Sequence, residues 1–145
     1  GHRVVQLHGD ESPQRCAALR DALGPEIGLW KALRVRSPGD LQRAAAYAAV
    51  VDALLLDAWV PDQLGGSGHR IPIEWLHGFR PALPWWLAGG LRADRVGPAM
   101  ASLATAPPAG LDASSGVERA PGDKDLDQVA ALVAAVAAVR QDRRS

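Results

Sequence analysis

The chain has 145 residues, which favours one domain large enough to bury a hydrophobic core. Its 16 Lys and Arg balance 16 Asp and Glu, so it lacks the net positive charge that draws proteins to nucleic acids or anionic membranes. Cys16, the single cysteine, excludes an internal disulfide and a cysteine-based metal cluster. The longest apolar run, Val129 to Val139, is too short to cross a bilayer. We therefore expect a globular, cytoplasmic protein with no nucleic-acid or membrane partner.

The first half of the chain alternates short apolar runs with helical patterns. Ser12 can cap a helix that has Pro13 at its first position, and Gly24-Pro25 ends it. A continuously apolar run at Ala53–Leu56 is typical of a strand covered on both faces. In chain order, the pattern predicts a strand at Val4–Leu7, a helix from Pro13 to Leu23, a strand at Ile27–Leu33, a helix from Ser37-Pro38 and a strand at Val50–Leu56.

The second half continues this alternation after a glycine-rich loop, Gly65–Gly68. It predicts a short helix at Ile73–Phe79, a strand at Pro84–Ala88, a helix at Arg92–Leu103, a strand at Ala109–Ala113 and a helix at Leu126–Val139. The last helix is apolar on most sides, so we expect its neighbours to cover it well.

Alternating strands and helices indicate an α/β protein with parallel strands joined by right-handed crossovers. Five strand–helix units are visible in the sequence. An open doubly wound sheet can be built from five strands, whereas a closed βα-barrel needs eight. The pattern alone does not choose between these two architectures.

Ligands of parallel α/β proteins bind at the carboxyl ends of the strands, and four predicted strand ends carry polar residues or glycine. These ends are Gln6–Gly9, Asp57, Gly89-Gly90 and Asp112–Gly116. Gly89 and Gly90 let backbone N–H groups approach an anion at the start of a helix. Ser114, Ser115 and Gly116 add hydroxyl and N–H donors at the next strand end, so the two loops together predict a phosphate site.

Asp57 ends a buried apolar run, where a raised pKa would suit a general acid, although a cap for a helix or loop is an equally good interpretation. Asp112 has the same placement and the same ambiguity. His8 is a candidate base or ligand, but a single His is more often a structural hydrogen-bonding residue. Trp85 and Trp86 point to opposite faces of a strand, so at most one faces a ligand. We interpret Cys16 as a core residue, and no spacing predicts a metal or dinucleotide site.

Five motifs occur in an order that resembles the phosphoribosylanthranilate isomerase family of tryptophan biosynthesis. They are Val5–Glu11, Leu55–Asp57, Gly65–Gly68 with Glu74-Trp75, Leu87–Leu91, and Asp112–Glu118 with Pro121–Asp125. The resemblance runs essentially from end to end of the chain. It implies a (βα)8 TIM barrel that catalyses, without a cofactor, an Amadori rearrangement of N-(5-phosphoribosyl)anthranilate to the 1-deoxyribulose 5-phosphate form.

The resemblance also implies roles for residues of this chain. Asp57 matches the general acid that protonates the ribose ring oxygen. Gly89, Gly90, Ser114, Ser115 and Gly116 match the loops that hold the substrate phosphate, and Gln6 and Asp112 match positions that face the substrate. The substrate would thus be a small phosphosugar joined to anthranilate.

Two features of the family are not found in the sequence. One is its general base, a cysteine in a Lys-x-Cys-Gly motif on the first strand. The other is an arginine after the second strand, which the resemblance implies would hold the anthranilate carboxylate. By motif order, Val4–His8 corresponds to the fourth strand of the barrel. We therefore expect residues 1–145 to form a single partial barrel of five C-terminal units, truncated by three, whose exposed strand edges pair with an N-terminal barrel fragment or associate with another copy.

Overall fold

The computed structural model describes residues 1–58 and 70–142. Five parallel strands form one sheet: β1 (Val4–Leu7), β2 (Gly28–Val35), β3 (Ala53–Ala58), β4 (Trp85–Leu87) and β5 (Gly110–Leu111). The predicted glycine-rich loop at 65–68 lies outside the described residues. The α-helices are α1 (Pro13–Leu23), α2 (Ala93–Ser102) and α3 (Leu126–Asp142). The α/β class and the alternation of strands and helices are confirmed.

The strands lie side by side in chain order, from β1 to β5. A doubly wound sheet reverses its strand order at a switch point, whereas the strands of a βα-barrel follow one another around the barrel. The sequential order therefore excludes the doubly wound alternative that the sequence left open. It is the order found in barrels.

The two faces of the sheet pack differently. Leu29, Leu33, Leu54 and Leu56 pack with residues of α1 and of the helical segments at Pro38–Tyr47 and Ile73–Leu76, and we call this side the helix face. Ala32, Leu55, Trp86 and Ala88 form a smaller cluster on the other side, which we call the interior face. Successive side chains of a strand point to opposite faces, so Leu54, Leu55 and Leu56 are all buried, as expected.

Local sequence signals explain where α1 begins and ends. The Ser12 hydroxyl accepts a hydrogen bond from the Arg15 amide at 3.2 Å, and Pro13 occupies the first helical position. Gly24 ends the helix with a φ of 76°, in the left-handed region that favours glycine. The side chain of Cys16 is fully buried on the helix face, in agreement with its interpretation as a core residue.

The segment after β2 differs from the expected α-helix. Pro38–Tyr47 is a 3₁₀ helix, and its buried residues are Leu41, Ala44 and Tyr47. These residues recur at every third position, which matches the 3.0 residues per turn of a 3₁₀ helix better than the 3.6 of an α-helix. Asp40 tightens its first turn, since the carboxylate accepts hydrogen bonds from the amides of Arg36 and Ser37 at 2.9 Å.

The expectation that the last helix is well covered is wrong. No residue of α3 is buried, and Leu126 and Val133 are 75% and 62% exposed. In the described part of the chain, α3 packs mainly against α2 and contacts the short helical segment at Ser115–Val117. Such a position supplies neighbours on one side of the helix only. None of the described helices is long and apolar enough to span a bilayer.

One buried cation fixes the loop that follows β1. Lys31 of β2 is 1% exposed, and its ammonium donates hydrogen bonds to the Gly9 carbonyl at 2.7 Å and to a Glu11 carboxylate oxygen at 3.0 Å. A buried ammonium is tolerated only when it is paired and hydrogen-bonded. Lys31 therefore ties the loop after β1 to the neighbouring strand, next to the carboxyl end of the sheet.

Candidate functional site

The carboxyl end of the sheet brings together side chains from neighbouring strands. Arg34 of β2 is in register with Asp57 of β3, and the register of β3 with β4 continues this row toward Ala88. The amide of Asp112 donates to the carbonyl of Leu87 at 2.9 Å, which aligns the residue after β5 with the end of β4. Paired residues of adjacent strands share a face, so Arg34, Asp57 and Asp112 all lie on the interior face, at one level.

Gln6 also lies on the interior face, but nearer the amino ends of the strands. It is in register with Trp30, which in turn pairs with Ala53, four residues before Asp57. The two tryptophans of β4 point to opposite faces, as predicted. Trp86 packs on Trp30 with ring centroids 4.3 Å apart, and Trp85 contacts Phe79 on the helix face. Gln6 is therefore closer to the amino ends of the strands than Asp57 is, at the position of Trp30.

Asp57 has the electrostatic environment of a proton donor. Burial is the main influence and raises the pKa of its carboxyl group above the usual value, and the negative charge of Asp112 acts in the same direction. The Ala58 amide, His8 and Arg34 oppose this shift without cancelling it. A carboxyl group whose pKa is raised retains its proton closer to neutral pH, as general acid catalysis requires.

The glycines after β4 bring their loop against Asp57. Gly89 and Gly90 have φ values of 88° and 60°, in the left-handed region that other residues rarely adopt. A Cβ atom at Gly89 would lie 3.1 Å from the Asp57 carboxylate oxygen Oδ1 and 3.4 Å from the Ala58 Cβ. Glycine at position 89 therefore gives the loop both its conformation and its close approach to the carboxyl group.

The loop after β5 touches the loop after β4. A Cβ atom at Gly116 would lie 1.9 Å from the carbonyl oxygen of Leu91, so only glycine fits this contact. The two glycine loops and Asp57 thus share one end of the sheet. The sequence predicted the loops at neighbouring strand ends, but the contact between their backbones is visible only in the tertiary structure.

A short hairpin holds the Ser114 loop. Its strands are β6 (Glu118–Ala120) and β7 (Asp123–Lys124), which the hydrophobic pattern did not predict. The Lys124 ammonium donates to the Ser114 hydroxyl at 3.0 Å and to the Ser114 carbonyl at 3.2 Å, and it pairs with Glu118. Lys124 therefore ties the predicted phosphate loop to the hairpin. Ser115 is exposed beside it.

Arg34 is a site residue that the sequence analysis missed. The strand was expected to end at Leu33, but β2 continues to Val35, which places Arg34 on the strand and in register with Asp57. One guanidinium N–H donates to the His8 carbonyl at 3.2 Å. The alternation of Trp30, Ala32 and Arg34 on one face was the signal that could have revealed it. His8 is exposed and, through its carbonyl, anchors Arg34.

The described residues contain no group of three or more His, Cys, Asp or Glu side chains that could hold a metal ion. Cys16 does not belong to this site, because it is buried on the helix face, the opposite side of the sheet. Burial also raises the pKa of its thiol. The chemistry that these residues can perform is proton transfer by Asp57 beside the two glycine loops.

A family model described as N-(5'phosphoribosyl)anthranilate (PRA) isomerase matches residues 1–135. The chain belongs to the phosphoribosylanthranilate isomerase family. The N-(5'-phosphoribosyl)anthranilate isomerase of Synechocystis sp. is 53% identical over 128 residues, which are 88% of this chain and 57% of that protein. The chain thus spans less than two thirds of the length of this relative.

Solved structures of the family have the same fold. The phosphoribosyl anthranilate isomerase of Thermus thermophilus superposes with a TM-score of 0.73 at 32% identity, covering 94% of this chain and 62% of that one. Another structure shows phosphoribosyl anthranilate isomerase in complex with reduced 1-(o-carboxyphenylamino)-1-deoxyribulose 5-phosphate. Its TM-score is 0.64 at 29% identity, with 90% of this chain and 57% of that chain covered. The family resemblance inferred from the motifs is therefore confirmed.

The raised pKa of Asp57 predicts a pH-dependent cost in stability. Burial favours the protonated form of the Asp57 carboxyl group in the folded chain. The contribution of this group to the free energy of unfolding is therefore fully present below its pKa in the unfolded chain, near 3.8. This contribution is lost as pH rises through the higher folded pKa. We therefore expect Asp57→Asn to raise the free energy of unfolding at pH 7, with a gain that shrinks toward pH 3.

Urea unfolding of both chains at pH 3, 5 and 7 measures this difference. Asp21→Asn, the same substitution at an exposed aspartate of α1, is the matched control against which the gain at position 57 is measured. A gain for Asp57→Asn that stays constant with pH would contradict the burial of a titrating carboxyl group.

Proposed function

We propose that this chain provides the acid and the phosphate loops of a phosphoribosylanthranilate isomerase site. In this reaction Asp57 gives its proton to the ribose ring oxygen of N-(5-phosphoribosyl)anthranilate as the bond from that oxygen to C1 breaks. The ring opens and the anthranilate nitrogen forms a Schiff base with C1. A general base then removes the proton from C2 of the protonated Schiff base, which gives an enolamine. Protonation of this enolamine at C1, with loss of the proton of the C2 hydroxyl, gives the 1-deoxyribulose 5-phosphate product.

The observation that carries this proposal is the contact of three elements at one end of the sheet. The carboxylate of Asp57 lies against Gly89, and the next residues of that loop reach Leu91, whose carbonyl meets Gly116. Gly89, Gly90, Ser114, Ser115 and Gly116 would hold the phosphate through backbone N–H and hydroxyl groups, as anion sites of βα-barrels do. Asp112, in line with Asp57 across the sheet, would face the sugar. Gln6 would contact the substrate from the side nearer the amino ends of the strands.

The general base would come from another part of the family architecture. The family places it on a cysteine of its first strand, and Cys16 cannot replace it because its thiol is buried on the helix face. We propose that residues 1–145 form a single domain that corresponds to the five C-terminal units of an eight-unit barrel. The coverage of 57% of the Synechocystis protein and the sequential strand order support this assignment.

A partial barrel also implies a partner for its open edges. In the described sheet, β1 and β5 each pair with one strand, and α3 leaves Leu126 and Val133 exposed. Edge strands and exposed apolar groups favour association with a further polypeptide. We propose that the remaining barrel units cover these edges and, in their absence, a second copy of the chain.

Complementation tests the proposed function. The chain is co-expressed with the part of the Synechocystis protein that it does not span, and conversion of N-(5-phosphoribosyl)anthranilate is followed with each part alone and with both. We expect turnover only when both parts are present. Binding of the reduced product analogue without any turnover in the combined sample would instead favour a non-catalytic phosphosugar-binding module. Absence of binding would reject both functions.

A further inference from the structure

The motif Pro121–Asp125 builds the hairpin that carries Lys124, and the proposed function gives this motif no role. The two strands of the hairpin are antiparallel, with Glu118 in register with Lys124. Pro121 and Gly122 form the turn between them, and Gly122 has a φ of 83°. Proline followed by glycine with a positive φ is the sequence of a type II turn. This turn therefore sets the register that brings Lys124 opposite Glu118.

Asp125 anchors the hairpin to the last helix. Its amide donates to the Val117 carbonyl at 2.8 Å, and its carboxylate accepts from two amides in the first turn of α3 at 3.0 and 3.3 Å. Arg119 of β6 pairs with the same carboxylate at 3.2 Å. The hairpin thus has an anchor of its own, separate from its contact with the Ser114 loop.

The ammonium of Lys124 uses all of its donors on the Ser114 loop and on Glu118. An ammonium has three N–H donors. Those of Lys124 reach the Ser114 hydroxyl at 3.0 Å, the Ser114 carbonyl at 3.2 Å and the Glu118 carboxylate. The hydrogen bond from Lys124 also holds the pKa of the Glu118 carboxyl group below its usual value, so the positive charge is paired with a negative one. Lys124 can therefore act on a ligand only through the loop that it holds.

Lys124 orients one peptide group of this loop. The Ser114 carbonyl accepts hydrogen bonds from the Lys124 ammonium and from the Val117 amide, each at 3.2 Å. In a trans peptide the C=O and the following N–H point in opposite directions, so the N–H of Ser115 points away from Lys124. No acceptor in the described part of the chain takes this N–H. The Ser115 N–H is thus a fixed donor that is open to a ligand.

We propose that Lys124 is a positioning residue for the substrate phosphate: by holding the Ser114 carbonyl, it directs the Ser115 N–H at the phosphate without touching the phosphate itself. This role rests on the proposed function, which assigns the loop after β5 to the phosphate. A donor that is oriented before the ligand arrives needs no ordering on binding, so preorganisation of the loop increases affinity. The hairpin thus serves the site through the backbone of the loop.

A comparison of two ligands tests this role, in samples that combine this chain with the remaining barrel units. The ligands are reduced 1-(o-carboxyphenylamino)-1-deoxyribulose 5-phosphate and the same compound without its phosphate, and binding is followed by tryptophan fluorescence. We expect Lys124→Gln to weaken binding of the phosphorylated ligand by about ten- to a hundredfold, the range for hydrogen bonds of a charged group. Binding of the other ligand should stay unchanged. Lys124→Arg should retain most of the affinity, because a guanidinium can also donate to the carbonyl, the hydroxyl and the carboxylate.

Arg119→Gln is the matched control, since it removes another cation of the same hairpin, one that pairs with Asp125. It should bind both ligands as the unsubstituted sample does. If Lys124→Gln loses affinity for both ligands equally, or if Arg119→Gln shows the same selective loss, the lysine only supports the hairpin and the proposal is wrong. Normal binding of the phosphorylated ligand by Lys124→Gln would also reject the role of Lys124, while the proposed phosphate loops stand.

The amide proton of Ser115 separates positioning from direct contact. In ¹H–¹⁵N NMR spectra at saturating phosphorylated ligand, this proton should move to lower field in the unsubstituted sample and in Arg119→Gln, because it donates to the phosphate. The displacement should be lost in Lys124→Gln. If it persists while binding is weakened, the lysine contacts the phosphate itself and the proposal is overturned. If the unsubstituted sample binds neither ligand, the proposed function falls, and the role of Lys124 with it.

Discussion

Replacement of Asp57 by asparagine should lower kcat by about a hundred- to ten-thousandfold, the range expected for the loss of a general acid. The amide of asparagine has nearly the same shape but no proton to give to the ring oxygen. The measurement is the rate of substrate conversion in the combined sample that contains this chain and the rest of the barrel. Affinity for the reduced product analogue should change little, because the proposed phosphate loops are unchanged.

Asp21→Asn again serves as the control, since it removes an exposed carboxylate of α1 and should leave the rate unchanged. A rate within a few-fold of normal for Asp57→Asn would show that another group donates the proton. The same substitution is expected to stabilise the fold at neutral pH. When the replacement of a residue stabilises the fold and lowers activity, the residue is retained for its function and at a cost in stability.

Gly116→Ala should weaken both the fold and the phosphate site. The added methyl group would lie 1.9 Å from the oxygen and 2.8 Å from the carbon of the Leu91 carbonyl, which are backbone atoms that no rotamer change can move. The loops after β4 and β5 must then separate. We expect the free energy of unfolding to fall by about 1–3 kcal/mol, as in other overpacked sites, and the Kd for the product analogue to rise at least tenfold.

Gly78→Ala is the matched control, because Gly78 is exposed and a Cβ atom there would meet nothing within 4 Å. Alanine narrows the unfolded ensemble more than glycine does, so this variant should be as stable as the unsubstituted chain or more stable by up to about 1 kcal/mol, and it should bind normally. Denaturant unfolding and fluorescence titration of both variants make the comparison. Unchanged ligand affinity in Gly116→Ala would contradict a phosphate site built from these two loops.

Much of the site could be predicted from the order of strands and loops. Asp57, Gly89-Gly90 and Ser114–Gly116 follow apolar runs directly, and parallel strands gather such residues at one sheet end. Arg34 was missed because a strand boundary shifted by two residues moved it from a loop onto a strand. Lys124 was missed because its partner, Ser114, lies across a hairpin that short polar strands do not reveal.

The covering of the helices could not be predicted in the same way. An apolar run such as Leu126–Val139 indicates that a helix has surface to bury, but it carries no information on which neighbours are present. In the structure α3 packs mainly against α2, and Leu126 and Val133 stay exposed. Burial is a property of the assembled elements.

The sequence by itself determined the α/β class, the five strands and the family of the chain, because hydrophobic periodicity and short motifs are local properties. The tertiary structure alone decided that the strands follow one another in order. It also decided that Gly89 lies against Asp57, that Gly116 lies against Leu91 and that Arg34 stands beside the acid. These contacts join residues far apart in the chain, and only strand register and packing bring them within reach of each other.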